Sequence, residues 1–551
     1  MNDLKPMLFT TMKGYTKKQF LQDVVAGIIV TIIALPLSIA LALASGVGPE
    51  EGIYTAIIAG FIISFLGGST VQIAGPTAAF ATIVAGIVAK NGMAGLALAT
   101  LLAGIFLIVM GIFKFGNLIK FIPYTITTGF TAGIAVTILV GQMKDFFGLT
   151  YPSFVKPIET IEKLECCGKY MSTINVQAVL VGIICLAILI VWPKISNKIP
   201  GSLIAVIVGI AMVKLFHMNV NTIGDLYTVS NKLPTFHMPV FSFTLLEQVL
   251  PDAFTIAILA GIESLLSCVV ADGMTNTKHH SNIELIAQGV GNIGSALFGG
   301  IPATGAIART AANIKNGGRT PVSGIVHSIV LLLVLVILMP YAAWIPMPTI
   351  AAILFSVAYN MCQWRPFVHL LKTAPKSDIA VLVITFVLTV VFDLVVAIEV
   401  GMILACLLFM NRMSTETEVL GWKYVEQEYD DTEKYTMLPK EIRVYEISGP
   451  LFFGVADRLA NISIKDFTKV LVLRMRSVPA IDATAMNALL GLQERCAKEN
   501  ITLIFAHVNE QPMHTMQKAG FIDLVGAENF FHHIDEALAY AEKLIVPVAE
   551  R

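Results

Sequence analysis

AGPTAAFATIVAGIVAK at residues 74–90 and GGIPATGAIARTAANIK at residues 299–315 decide how this chain folds. Each places Gly, Pro and Thr at the mouth of an apolar run. Proline is accommodated in the first turn of a helix, where its missing N–H has no partner to lose. Gly75-Pro76-Thr77 therefore predicts a helix opening near Pro76, and Pro302-Ala303-Thr304-Gly305-Ala306 predicts a second. Pro76 stands 53 residues beyond Asp23, which precedes the first apolar run, and Pro302 stands 50 beyond Asp252. Broken segments at matched positions of two halves point to the binding site of an inverted-repeat transporter. Prolines that merely kink ordinary helices are the alternative.

Composition sets the environment. The 551 residues are 56% hydrophobic and only 14% charged, against about 25% charged in a soluble protein. Most of the chain therefore belongs in a lipid bilayer. The formal net charge of -1, with basic residues thinly spread, excludes the basic face that nucleic acid requires. The seven cysteines form no CxxC pair and have no histidine at ligand spacing, so neither a disulfide framework nor a metal site is expected. The first apolar run, 24–44, is too long for a signal peptide and reads as a spanning helix.

Spanning helices need about 20 mostly apolar residues. The candidates are 24–44, 53–66, 76–89, 93–113, 122–139, 176–191, 203–216, 253–270, 283–298, 303–314, 322–339, 349–359, 379–392 and 394–410, fourteen in all. With the N-terminus inside, the inner loops carry Lys114, Lys120, Lys194, Lys198, Lys278, Lys315, Arg319, Arg365, Lys372 and Lys376, as the enrichment of cytoplasmic loops in Lys and Arg requires. The outer loops carry Glu50 and Glu51, then Glu159, Glu162 and Glu165 among Lys156, Lys163 and Lys169, then a stretch with Lys232 alone. An even count returns the C-terminus to the cytosol. The expected organisation is a cytosolic segment 1–22, a transport domain 23–412 with repeats of about 23–217 and 248–412, a linker 413–440, and a cytosolic α/β domain 441–551. In that last domain IRVYEISGPLFF, VLVLRM and ITLIFAHV read as strands, while TAMNALLGLQERCAKE and IDEALAYAEKL read as helices.

Each helix N-terminus carries roughly half a positive charge. Two of them facing one cavity favour an anion. Arg309 follows on the second segment, and a buried Arg needs a partner or a wet cavity; attraction of the anion is the preferred role, against a carboxylate pair or snorkelling. Glu263 lies within the eighth apolar run, as a site for Na⁺ or a proton or as a structural hydrogen-bond acceptor. Asp393 and Glu399 bracket the turn between the last two spans. GVGNIG at 289–294 formally matches a dinucleotide fingerprint, but it lacks the βαβ context and reads as a close-packing stripe. The doublets His279-His280 and His532-His533 read as solvated loop residues. No nucleophile with a base and no Walker sequence occurs, so neither an enzyme nor an ATP-driven pump is expected, and no cofactor.

QDVVAGIIVTIIALPLSIALALASGVGPEEGIYTA at 22–56, AGPTAAFA at 74–81, IESLLSCVVAD at 262–272 and GGIPATGAIARTAANIKNGGRTPVSGI at 299–325 together resemble the SulP family of sulfate-permease-type anion transporters, and 441–544 resembles its STAS domain. The resemblance implies a polytopic α-helical membrane protein of fourteen spans, arranged as a seven-plus-seven inverted repeat with core and gate domains, followed by a small α/β domain. It implies a homodimer in the plasma membrane, in a bacterium the inner membrane, with both termini cytosolic. Carried over by motif, the substrate site comprises Leu37 and Leu41, Ala74, Gly75, Pro76, Thr77 and Ala78, and Thr304, Gly305, Ala306, Ile307, Ala308 and Arg309. Glu263 and Ser267 would handle the coupling ion.

Two departures shape the expected function. Many relatives have glutamine and an aromatic residue where this chain has Leu37 and Leu41. Sodium-coupled bicarbonate members have aspartate at the position of Glu263 and threonine at that of Ile307, so the missing hydroxyl favours H⁺ over Na⁺. The expectation is proton-coupled uptake of sulfate, bicarbonate or a small dicarboxylate by alternating access. A sodium-coupled bicarbonate symporter, an anion exchanger, a nucleobase carrier and a membrane-anchored anion sensor stay open. AIDATAMNAL at 480–489 resembles the STAS loop that offers a phosphorylatable hydroxyl; Thr484 is the candidate, with an ordinary N-cap preferred. A cytosolic protein is the partner this domain implies.

Overall fold

The structure is a computed structural model that describes residues 5–117, 123–152, 155, 157, 159–195, 199–392, 394–421 and 438–545. Lys120, Lys156, Lys198, Asp393, the expected start of the fifth span at Ile122 and most of the expected linker lie outside the described residues. The chain divides into two compact units, Met1–Met402 and Ile403–Arg551.

In lipid the backbone must satisfy its own polar groups, so apolar runs become helices. Among the described residues fourteen such segments occur. Span 1, Lys17–Ala44, opens on a capping box between Thr16 and Gln19. Span 2, Pro49–Leu66, has Pro49 in its first turn. Spans 3 and 4 form one assigned helix, Ala81–Ile112, broken at Gly92, whose φ of 66° lies in the left-handed region. Span 5 is Tyr124–Phe147, span 6 Val176–Ile195 and span 7 Gly201–Leu215. Spans 8 to 11 are Phe243–Thr275, Ser281–Leu297, Ile307–Lys315 and Val322–Ala342. Spans 12 to 14 are Met347–Cys362, Lys376–Val391 and Leu394–Glu416. Eight of these helices are long and apolar enough to cross a bilayer alone, with spans 3 and 4 counted together.

The packing is reciprocal. Span 4 packs on span 9, and span 2 on span 11; span 8 packs on span 4, and span 1 on span 11; span 5 packs on span 12. Exchanging each span with the one seven positions later maps this set onto itself, the signature of two seven-span repeats. Spans 1–4 and 8–11 form a core, and spans 5–7 with 12 and 13 a gate. The glycine run of span 9 is a packing stripe, as expected: a Cβ on Gly289 would strike span 4 at the Gly104 carbonyl oxygen, and one on Gly291 would strike Ile63 of span 2.

Several local expectations are corrected. Span 10 begins at Ile307 rather than at residue 303, because residues 304–305 are extended. The third span begins at Ala78 rather than Pro76. His279 is not a solvated loop residue: its Nδ1 lies 2.7 Å from Asp272 Oδ2 and its Nε2 lies 2.9 Å from Ser281 Oγ. Glu399 is exposed within span 14 rather than at its preceding turn.

The second unit holds a five-stranded sheet of β3 (Glu418–Gly421), β4 (Ile442–Ser448), β5 (Val470–Ser477), β6 (Thr502–Ala506) and β7 (Phe530–Phe531), in that order. β3 is antiparallel to β4, and the remaining pairs are parallel. Alternating side chains feed two apolar layers. One sets Leu471, Leu473 and Phe505 against Leu489 and Leu492 of helix Ala483–Lys498. The other sets Val470, Val472 and Ile504 against Ala537 and Leu538 of helix Ile534–Ile545. β3 lies in the stretch expected as linker. Asp482, not Thr484, caps helix Ala483–Lys498, accepting from the Ala485 amide at 2.8 Å; Thr484 stands exposed in the first turn.

Candidate functional site

The two broken segments meet inside the core. β1 (Ala74–Gly75) and β2 (Thr304–Gly305) pair antiparallel, Ala74 opposite Gly305 and Gly75 opposite Thr304. The Ala306 amide donates to the Ile73 carbonyl at 2.9 Å. Extended backbone at this depth survives only where its polar groups find partners, and side chains of the surrounding spans provide them. Ser264 accepts from the Gly305 amide at 3.1 Å and lies 2.7 Å from the Thr304 hydroxyl. Thr310 accepts from the Ile73 amide at 3.1 Å, and Asn292 holds Ala303 through both its amide and its carbonyl.

A half-helix departs from each strand, one starting at Ala78 after Thr77 and one at Ile307 after Ala306. No side chain caps either start, which leaves the first-turn amides without intrahelical partners. Both starts line a cavity of about 490 Å³. Its core wall consists of Leu37 and Leu41 of span 1, Pro76, Thr77 and Ala78, Glu263 of span 8, and Gly305, Ala306, Ile307, Ala308 and Arg309. Its gate wall includes Thr131 of span 5, Leu189 and Pro193 of span 6, Ser202 of span 7, and Ser356, Asn360 and Gln363 at span 12 and its C-terminal end. The lining runs out to exposed Pro193 and Gln363, so the cavity opens on the face where spans 6 and 7, and spans 12 and 13, connect.

Arg309 is 2% exposed, the largest of the fully buried side chains. Its Nη2 donates to the Pro76 carbonyl at 3.1 Å and to Ser38 Oγ at 3.3 Å, while its buried Nη1 has no hydrogen-bond partner. No carboxylate pairs with it among the described residues, so its positive charge adds to the field of the two helix starts. Glu263 Oε2 accepts from the Thr77 hydroxyl at 2.9 Å. The carboxyl is thereby tied to the start of the first half-helix while lining the cavity.

Eleven residues expected at the substrate and coupling sites thus converge on one cavity. Four stand behind it. Ala74, Gly75 and Thr304 form the strand pair, and Ser267 is buried and donates to Thr310 at 3.3 Å, bracing the second half-helix instead of facing the cavity. The gate wall is not identified by the sequence motifs. The signal available for it in the sequence is Ser356 and Asn360, two polar residues one helical turn apart in the C-terminal half of span 12.

The model of the Sulfate permease family matches residues 20–385, and that of the STAS domain matches 437–537. The chain belongs to the sulfate permease family. Within that family it is 40% identical over 540 residues to the Bacillus subtilis protein named "Putative sulfate transporter YvdB", covering 95% of this chain and 98% of that one. It is 31% identical over 550 residues to the bicarbonate transporter BicA of Synechocystis, covering 95% of each. The solved transmembrane domain of a cyanobacterial BicA superposes with a TM-score of 0.62 at 30% identity, over 71% of this chain and 98% of that domain. SLC26A9 shares the fold, with a TM-score of 0.86 at 20% identity over 98% of this chain and 93% of its own. The sulfate permease fold thus accounts for a multi-pass membrane transporter with a C-terminal STAS domain.

Proposed function

We propose that this protein is a secondary active transporter that takes up a small oxyanion, sulfate or bicarbonate, in symport with a proton. The observation that carries the reading is the convergence of two uncapped half-helix starts and Arg309 on one cavity that also holds a carboxyl, Glu263. Two helix N-termini and a guanidinium favour an anion. The family of the relatives, sulfate and bicarbonate transporters by name, agrees in substrate class. A small dicarboxylate fits the same charge pattern.

In this reading the anion binds between Thr77–Ala78 and Ile307–Ala308. Glu263 takes up the coupling proton, and its bond to Thr77 links protonation to the first half-helix. Ile307 supplies no hydroxyl for a sodium ion. Lys114, Lys194, Lys278, Lys315 and Arg365 fall at the ends of spans on the side where the cavity opens, which makes that side cytosolic and the conformation inward-facing. Both termini then lie in the cytosol of a plasma-membrane protein that works as a homodimer, with its STAS domain available to a cytosolic protein.

Uptake by proteoliposomes tests this. Sulfate or bicarbonate should accumulate under an inward proton gradient, and Glu263→Gln should keep downhill exchange while losing gradient-driven accumulation. Accumulation that follows a sodium gradient instead would replace the proton by Na⁺. An absence of flux for every oxyanion tested would remove the transport reading.

A further inference from the structure

The two walls of the cavity offer an anion different donors. On the core wall the Thr77 hydroxyl is committed to Glu263 at 2.9 Å and Arg309 Nη2 to Pro76 and Ser38 at 3.1 and 3.3 Å, which leaves Arg309 Nη1 and the amides of the two uncapped helix starts for an anion. On the gate wall Ser356 and Asn360 line the same space, and neither side chain has a hydrogen-bond partner among the described residues. They stand four residues apart on span 12, one helical turn, which puts them on one face with Cβ atoms about 6 Å apart. Ser356 is half-buried and Asn360 exposed on the cavity side of the helix, so in the open cavity both side chains meet water, which an anion can replace. Arg309 is the one Lys, Arg or His among the lining residues, so the gate can engage an anion only through neutral donors.

We infer that Ser356 and Asn360 are the gate half of the substrate site and determine which oxyanion is carried. The inference rests on the anion-transport reading above. As the gate closes over the half-helices, the hydroxyl and the carboxamide donate to oxygens of the anion that face away from the core, replacing water lost on occlusion. The energy of removing an ion from water rises steeply with its charge. A tetrahedral dianion such as sulfate therefore depends on these donors more than a planar monoanion such as bicarbonate. A hydrogen bond to a charged group carries about tenfold or more in affinity.

The test uses the full-length protein in proteoliposomes, with labelled sulfate and labelled bicarbonate as probes. Variants are Ser356→Ala, Asn360→Leu and the carboxamide-preserving Asn360→Gln, with Tyr359→Phe on the same helix but outside the lining as control. Asn360→Leu should raise KM for sulfate about tenfold and lower the ratio of sulfate to bicarbonate uptake, with Ser356→Ala acting in the same direction. Asn360→Gln should recover part of the ratio, and Tyr359→Phe should leave it unchanged. If only one anion is carried, its KM is the readout. Equal loss of both rates, or an unchanged ratio and KM in variants that melt like the wild type, overturns the inference. A wild-type protein that carries neither anion removes the anion reading itself, and the inference with it.

Discussion

Arg309 Nη2 donates to the carbonyl of Pro76 at 3.1 Å, joining the second half-helix to the segment that leads into the first. The guanidinium therefore adds to the β1–β2 pairing in fixing the two helix starts, and it also supplies charge. A lysine would keep the charge but not the planar fork. Arg309→Lys should lower anion flux about tenfold through a higher KM, and Arg309→Gln should lower it further, since loss of a charged hydrogen bond costs about 1.5–3 kcal/mol. Initial rates in proteoliposomes across a range of anion concentrations check this.

Two glycines are required by contact. A Cβ on Gly75 would collide with Arg309 Nη1, and one on Gly305 with the side chain of Gln72. Overpacking costs about 1–3 kcal/mol. Gly75→Ala and Gly305→Ala should each lower the melting temperature in detergent and raise KM by displacing the half-helices. Gly86, in span 3, has open space at its Cβ position, and Gly86→Ala should melt at or above the wild-type temperature.

Asp23 anchors the beginning of span 1. It is fully buried and accepts from the Tyr15 hydroxyl at 2.7 Å, the Arg319 amide at 2.8 Å, and the Thr320 amide and hydroxyl at 3.3 and 2.6 Å. Asp23→Ala strands buried donors at the turn between spans 10 and 11, each worth about 1–3 kcal/mol. The variant should show a shortened half-life at elevated temperature, followed by size-exclusion chromatography. Tyr15→Phe, which loses one of these bonds, should show a smaller change.

Cys496 reports on the STAS unit. The thiol is fully buried, and burial above all, with Glu499 adding and Arg495 opposing, pushes its pKa from 9.0 up to about 11. The folded state thus holds this proton more tightly than the unfolded one. The stabilisation is full below pH 9.0 and is lost as pH rises through about 11. At pH 8 a maleimide should leave Cys496 unmodified in the native protein and label it on denaturation, read by peptide mass spectrometry. Native-state labelling at pH 8 as fast as in denaturant would contradict this.

The chain's own order of residues determined the spans, the two breaks and the candidate anion residues. Apolar length and the chemistry of Gly75-Pro76 and Pro302 act locally, so they are readable one segment at a time. The tertiary structure decided what these residues do. Residues 304–305 are extended because β1 pairs with them, Ala74 opposite Gly305 and Gly75 opposite Thr304; a single segment carries no record of that partner. Thr77 meets Glu263 across spans 3 and 8, Ser267 turns to Thr310 instead of the cavity, and Ser356 and Asn360 reach the site from the gate wall. Those facts depend on how helices far apart in sequence pack and rotate against one another, which hydropathy does not encode.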